Sequence, residues 1–133
     1  MKKVTIPLIC NTAEKHNVSA MTIEATKATQ EFPKDVEQFL SDNGKKINLQ
    51  TKPASTQVTK QDRIWAQASR IMDSFIFLQS GKRSREYQQF MENVYAFKVV
   101  GKNTHDDAPD SLAMAADMIY HKIIKCEVFR RMF

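Results

Sequence analysis

Several features that mark particular protein classes are scarce in this sequence. Only 3 of 133 residues are glycine while 42% are hydrophobic, so a packed core is expected and disorder is excluded as the main state. The 2 cysteines, Cys10 and Cys126, lie far apart and predict free thiols rather than a disulfide framework. No apolar run approaches the roughly 18 residues of a membrane span. Pro7 and Asn11 interrupt the apolar N-terminus, which argues against a signal peptide and predicts a cytosolic protein.

The composition favours one basic globular domain. A chain of 133 residues is enough for one ordinary domain, and we predict a single domain over 1–133. The formal net charge is +5 and the isoelectric point about 9.3. This balance favours a polyanionic partner, although many proteins of this size are equally basic.

Hydrophobic periodicity predicts the element order α, β, α, β, α, (β), α, α. Ile6, Ile9, Cys10 and Ala13 have helical spacing. The next predicted elements are a strand through Met21 and Ile23, a helix from Pro33 to Gly44, a strand through Ile47 and Leu49 and a flexible loop over 52–60. They are followed by a helix with Ile64, Ala68, Ile71 and Phe75 inward, a short extended segment over 74–78, a helix capped by Ser84, and a final helix from about Pro109 with Leu112, Ala116, Ile119 and Ile123 inward.

Carboxylates are concentrated where that final helix begins, in "THDDAPDSLAMAADM", residues 104–118. Asp107 as N-cap and Asp110 in the first turn would each meet the positive end of the helix dipole. Capping contributes roughly 1 kcal/mol and explains one or two acids, but it explains neither Asp106 nor His105. The alternative is a divalent-metal site, because oxygen ligands suit Mg²⁺ or Mn²⁺. The spacing alone leaves both interpretations open.

A further acid closes the first predicted strand. Glu24 ends "AMTIE", where it is either a solvated strand end or a carboxylate delivered to a site at the sheet edge. If Glu24 converges with Asp107 and Asp110, the three acids could share a cation. The metal hypothesis depends on this convergence.

These segments together resemble one family. "THDDAPDSLAMA" is similar to the C-terminal signature of the large terminase subunits of tailed bacteriophages, and "MTIEATKA" resembles that family's strand ending in a metal-binding acid, with Thr26 at the family's Asn position. "KQDRIWAQASRIMDSFIFL" and "REYQQFMENVYAF" resemble two of its helices, in the same order. Holliday junction resolvases have a related helix start with two Asp three residues apart.

The resemblance implies a fold and an activity. We expect an α/β, ribonuclease H-like domain, truncated to a small sheet flanked by helices. The family's first strands, with their catalytic Asp, and its ATPase half have no counterpart here. The implied function is metal-dependent endonuclease cleavage of concatemeric double-stranded DNA during phage packaging. Glu24, Asp107 and Asp110 would be catalytic metal ligands, with Asp106 as a further ligand and His105 supporting them. We expect little or no nuclease activity from this chain alone.

The implied partner is double-stranded DNA. Cations flanking the acids could contact phosphates, although each cluster could equally be a solvated basic surface. These residues are Lys60, Arg63, Lys82, Arg83, Arg85, Lys98 and Lys102. Other terminase or portal components are further candidate partners, as is a second copy bound through the uncovered sheet.

A different class of function stays open at this point. The chain could be a non-catalytic module, derived from a terminase, that binds DNA or packaging proteins while its acids serve only as caps. A self-standing resolvase-like nuclease is a third hypothesis, although no earlier strand carries an acid. Mn²⁺ binding discriminates the metal site from the module.

Overall fold

A computed structural model describes the backbone of residues 2–132 and the side chains of residues 2–121. Contacts divide the chain into two compact units, Met1–Thr56 and Gln57–Phe133, and each is described by itself. The prediction of one domain over 1–133 stays a prediction. The predicted inward Ile123 and free Cys126 lie outside the described side chains.

The first unit combines two helices with two strands. Its elements are α1 (Lys2–Lys15), β1 (Ala20–Ala25), α2 (Glu31–Asp42) and β2 (Asn48–Pro53), with a 3₁₀ turn over Lys27–Thr29. β1 and β2 pair in parallel, with Ala20 opposite Asn48 and Glu24 opposite Lys52. Parallel neighbours need a crossover connection, and α2 provides it. This forms a β-α-β unit.

A small apolar core holds the first unit together. Cys10 and Val36 are fully buried, and Ile6 and Leu40 are nearly so. Alternation along the strands turns Met21, Ile23 and Leu49 toward this cluster. α2 ends where Gly44 adopts a φ of +63°, a conformation that glycine enters without a Cβ penalty. The helical and alternating periods of the sequence therefore account for the unit's packing.

The second unit is helical. It contains α3 (Lys60–Ser74), α4 (Arg85–Tyr95) and α5 (Asp107–Met132), with a 3₁₀ turn over Ser80–Lys82. The predicted cap at Ser84 is confirmed, because its Oγ accepts a hydrogen bond from the Tyr87 backbone N–H at 3.2 Å. The buried apolar side chains are Ile64, Met91, Leu112, Ala113 and Ala116. Small alanines on α5 allow α3 to pack closely against it.

Three element boundaries differ from the sequence-based expectation. Residues 75–79 carry no assigned strand, although Phe75 and Phe77 are half-buried while Ile76 and Leu78 are exposed. The alternation is present, but no neighbouring strand within the described residues pairs with it. The predicted loop over 52–60 is shorter than expected, because β2 extends to Pro53 and α3 begins at Lys60.

The third difference is at the start of α5, which begins at Asp107 rather than near Pro109. Asp106 is therefore the residue that flanks the helix on its N-terminal side. Its carbonyl accepts a hydrogen bond from the Asp110 backbone N–H at 3.1 Å. The capping position thus belongs to Asp106, one residue earlier than predicted.

The architecture along the described residues is α/β, with five α-helices and a small parallel sheet of two strands. Among those residues, no helix combines the length and apolar character needed to cross a membrane.

Candidate functional site

The start of α3 is fixed by its own cap. The Thr59 hydroxyl accepts from the Asp62 backbone N–H at 3.1 Å and donates to the Asp62 carboxylate at 2.7 Å. Such reciprocal capping defines where the helix begins and how its first turn is oriented. Lys60 and Gln61 are thereby placed in that first turn, and each makes long-range contacts.

Lys60 lies among the three carboxylates at the start of α5. Its Nζ is 2.8 Å from Asp106 Oδ1, 2.7 Å from Asp107 Oδ1 and 3.8 Å from Asp110 Oδ2. The three acids therefore lie around one cationic position, which the Lys60 ammonium group occupies. Lys60 thus contacts the predicted metal ligands, and its predicted contact with DNA phosphate stays a prediction.

Arg63 provides a second cation, one turn along α3. Its Nη2 donates to Asp110 Oδ1 at 3.2 Å and Oδ2 at 3.1 Å. The Asp110 side chain is only 13% exposed and that of Arg63 24%, so this pair is more shielded than the Lys60 pairs. The five side chains of Lys60, Arg63, Asp106, Asp107 and Asp110 define the acid cluster, whose two cations and three carboxylates leave one net negative charge.

These contacts shift two pKa values. The hydrogen bond from Lys60, followed by its charge, holds the pKa of Asp107 below its ordinary value, and His105 adds a smaller effect in the same direction. Burial would lower the pKa of Lys60, but the hydrogen bonds and charges of Asp106 and Asp107 together outweigh it and raise that pKa. Each partner therefore stabilises the charged form of the other.

The polar contacts continue along the facing surfaces of α3 and α5. Gln67 Nε2 donates to Asp117 Oδ1 at 3.4 Å, and the Arg70 guanidinium lies 3.6 Å from the centre of the Tyr120 ring. Lys60, Arg63, Gln67 and Arg70 follow one face of α3 at spacings of three and four residues. Gln67 and Arg70 were not predicted from the sequence as residues of this surface. The polar spacing of three and four residues along α3 was the signal that indicates them.

A loop beside the acid cluster is braced by side-chain amides. Gln61 Nε2 is within hydrogen-bonding distance of the carbonyls of Lys98 (2.6 Å) and Val99 (2.7 Å). Asn103 accepts from the Lys98 backbone N–H at 2.7 Å and donates to its carbonyl at 2.9 Å. Gly101 adopts a φ of +99°, which permits the reversal. Two predicted DNA contacts, Lys98 and Lys102, are exposed on this braced loop.

The remaining predicted DNA contacts lie around the second 3₁₀ turn. Lys82 and Arg85 are exposed. Arg83 is partly committed to the fold, since its Nη1 donates to Gln88 Oε1 at 3.2 Å and its guanidinium lies 5.6 Å from the Tyr87 ring centre. Lys82 and Arg85 thus present their charge to solvent, whereas Arg83 stabilises the turn.

Glu24 belongs to the first unit, half-buried in β1 at the register position opposite Lys52. Its convergence with Asp107 and Asp110 stays a prediction. His105 is exposed, just before the helix start. Across the side chains that the structure describes, no group of three or more His, Cys, Asp or Glu has an arrangement suited to a metal ion.

The donor chemistry of the acid cluster nevertheless suits a hard cation. Carboxylate oxygens are the ligands that Mg²⁺ and Mn²⁺ prefer, and Mg²⁺ is usually held by one or two carboxylates while it keeps several waters. Asp106 and Asp107 already share one cation through their Oδ1 atoms. A divalent ion would have to displace the Lys60 ammonium from that position.

Comparisons of the chain with protein-family models, curated protein sequences and solved structures gave no match. The resemblance to terminase nucleases therefore depends on the sequence motifs alone.

Proposed function

We propose that this chain is the later part of a ribonuclease H-like nuclease domain of the phage large terminase type. On this proposal it acts on double-stranded DNA in the bacterial host cell, with Mg²⁺ or Mn²⁺ as cofactor. The motif "THDDAPDSLAMA" supports it, together with an α/β architecture in which α5 begins at that motif. The β-α-β unit, in which Glu24 of β1 lies opposite Lys52 of β2, is compatible with such a fold.

One observation carries this proposal furthest. Three carboxylates from one helix start lie around a single cationic atom, Lys60 Nζ, at 2.7–3.8 Å. Capping needs only one of them, and clustered acids repel unless a cation lies among them. The arrangement is therefore that of a site for positive charge, which Lys60 fills when no divalent ion is bound.

The protein's own residues would then have distinct roles. Asp106, Asp107 and Asp110 would hold the metal, which when bound would activate water and stabilise the leaving oxygen of a phosphodiester. Arg63 would orient the Asp110 carboxylate, because it contacts both of its oxygens. Lys60 would neutralise the acids in the metal-free protein.

The exposed lysines of the braced loop are the best-placed DNA contacts. Gln61, which follows Lys60 in the first turn of α3, anchors the backbone of their loop at the carbonyls of Lys98 and Val99. Lys82 and Arg85 add exposed charge elsewhere in the unit. Phosphate contacts of this kind fix the position of a duplex without reading its sequence.

The ion pairs themselves favour a second candidate function. Lys60 and Arg63 engage all three carboxylates without any metal, so the acid cluster could serve only to connect α3 with α5. The chain would then be a non-catalytic module, derived from a terminase, that binds DNA or packaging proteins. In that case the acids of the cluster stabilise the folded protein and bind no metal ion.

Calorimetric titration with Mn²⁺ separates the two functions without relying on cleavage. If the acids form a metal site, the wild-type chain binds weakly and Asp107→Asn abolishes binding. Lys60→Met removes the competing ammonium and should tighten binding by about fivefold, since an exposed ion pair contributes up to roughly 1 kcal/mol. Asp73→Asn, an exposed acid on α3, is the matched control and should bind as the wild type does.

The non-catalytic module predicts no heat of binding in any of these variants. Fluorescence anisotropy with a labelled duplex tests the DNA contacts independently. Lys98→Gln and Lys102→Gln should each weaken binding and flatten its salt dependence, whereas neither should affect Mn²⁺ binding. Unchanged DNA affinity in both variants would exclude the braced loop as a DNA contact.

A further inference from the structure

An apolar face of α3 is left exposed in the second unit. Trp65 is 58% exposed and Met72 78% exposed, and Ile76, just beyond the helix end, is 99% exposed. Trp65, Ser69 and Met72 lie at i, i+4 and i+7, so they form one stripe along the helix. We call these three residues with Ile76 the α3 stripe.

Packing within the unit does not explain the α3 stripe. The face of α3 that meets α5 carries the buried Ile64 together with Lys60, Arg63 and Gln67. At about 100° per residue, Trp65 and Met72 point roughly 80–120° away from the directions of Ile64 and Ile71. A large exposed apolar stripe with Trp and Met at its centre is typical of a surface that another molecule covers.

The charge beside the stripe indicates what covers it. Asp62 and Asp73 are both exposed and lie on the same side of the stripe. Viewed down the axis of α3, each points about 60–80° away from the direction of Trp65. They are separated by three turns of helix, about 16 Å. The whole α3 stripe therefore has one acidic edge in a protein whose net charge is +5.

This acidic edge disfavours antiparallel pairing with a second copy of the same stripe. If two copies paired antiparallel through a two-fold axis, Asp62 of one would lie on the same side as Asp73 of the other, at the same level. Four carboxylates would then line one edge of the interface, and such like-charge juxtaposition is destabilising. A partner with positive charge along its own apolar surface avoids this repulsion.

We propose that the α3 stripe docks an amphipathic helix whose apolar face is flanked by Lys or Arg. The small Ser69 between Trp65 and Met72 leaves room for a ridge of the partner helix. Met72 adapts to the shape of the partner's apolar side chains, and Trp65 provides the largest contact area. Asp62 and Asp73 pair with the partner's cations and fix its orientation. This proposal is independent of the nuclease hypothesis.

Trp65 is the only tryptophan of the chain, so its fluorescence reports on this face directly. The probe is a synthetic amphipathic helical peptide with a leucine stripe flanked by lysines. We expect its addition to shift Trp65 emission to shorter wavelength as the indole leaves water. A matched peptide with glutamates in place of the lysines should give no shift, and added salt should weaken binding of the lysine peptide.

Variants of the stripe test the site of binding. Met72→Lys should abolish binding of the lysine peptide, since it places a charge in the apolar contact. Asp73→Lys should weaken binding at least threefold, as expected for the loss of an exposed ion pair and its replacement by repulsion. Val100→Lys, at an exposed apolar position on the braced loop, is the matched control and should bind as the wild type does. Circular dichroism verifies that each variant is folded.

Three results would overturn the proposal. Equal binding of the lysine and glutamate peptides would show that charge plays no part. Unchanged binding to Met72→Lys would place the peptide elsewhere. A concentration-dependent emission shift without peptide, accompanied by dimers in sedimentation, would show that a second copy covers the stripe.

Discussion

In the first unit, Cys10, Val36 and Leu40 connect two helices and a sheet through buried apolar side chains. In the second unit, ion pairs accompany the apolar contact between α3 and α5. Burial of Cys10, Val36 and Leu40 removes apolar surface from water. In the second unit, Lys60 and Arg63 compensate the charges of the carboxylates at the start of α5. The two units should therefore respond to different perturbations.

Apolar burial depends on the volume that fills the core, and it changes little with pH or salt. Ion pairs depend on protonation and on screening, and they tolerate changes in volume. Truncation of a core residue of the first unit is thus expected to have a larger effect than loss of an ion pair of the second unit, whereas the ion pair should depend more strongly on solution conditions. Three experiments test this difference, in decreasing order of expected effect.

Leu40→Ala should have the largest effect. The Leu40 side chain is nearly fully buried beside Val36, so its truncation should lower the free energy of unfolding by about 3 kcal/mol. Urea denaturation followed by circular dichroism measures it. Leu8→Ala on α1 removes the same atoms from an exposed position and should cost far less. Similar costs for the two variants would contradict a core centred on Val36 and Leu40.

Arg63→Met should have an intermediate effect. It removes a cation that contacts both oxygens of Asp110, whose side chain is only 13% exposed, and should cost roughly 1–3 kcal/mol. Arg85→Met, at an exposed position of α4, is the control and should stay within about 0.5 kcal/mol of the wild type.

A double-mutant cycle distinguishes the contact from a general effect of losing Arg63. The double variant Arg63→Met, Asp110→Asn should lose about 1 kcal/mol less unfolding free energy than the sum of the losses in the two single variants. Additive costs would mean that the two side chains do not interact energetically.

Loss of the ion pair between Lys60 and Asp107 should have the smallest effect. It should lower the free energy of unfolding by less than about 1 kcal/mol, because the Asp107 side chain is fully exposed. The folded-state pKa of Asp107 is lowered, so its stabilising contribution is present above the ordinary value of 3.8 and is lost as the pH falls through the lower folded-state pKa. The pKa of Lys60 is raised, so its contribution is present below 10.5 and is lost as the pH rises through the higher folded-state pKa.

Comparison of the wild type with Asp107→Asn as a function of pH measures this contribution. The difference in unfolding free energy should be largest at neutral pH and low salt, and it should shrink below pH 3.8 and at high salt. A difference that does not change with pH or salt would mean that the charge of Asp107 does not contribute to stability, and it would contradict the ion pair with Lys60.

Much of the local structure was predictable because its causes are local. The helical spacing of Ile6, Cys10 and Ala13 and the alternation around Met21 and Ile23 led to the correct elements. The cap at Ser84 follows from a single hydroxyl and the next backbone N–H groups. In the segment after α3 the predicted alternation of burial is present, but a strand also requires a neighbour, and alternation does not specify one.

The candidate site was predictable only as a set of residues. The acids Asp106, Asp107 and Asp110 follow directly from their concentration in the sequence. Their partners Lys60 and Arg63 were singled out too, but as DNA contacts. A basic residue at the start of a helix has the same appearance in a sequence whether it faces solvent, phosphate or a carboxylate.

The helices, the two strands and the acidic start of α5 follow from local sequence, because each depends on side chains a few residues apart. The position of Lys60 among the acids depends on tertiary structure, since the contact joins residues 47 positions apart. It also decided which face of α3 is buried and which exposes Trp65 and Met72. Helical periodicity groups residues by face, but the packing of a distant helix selects the face that is covered.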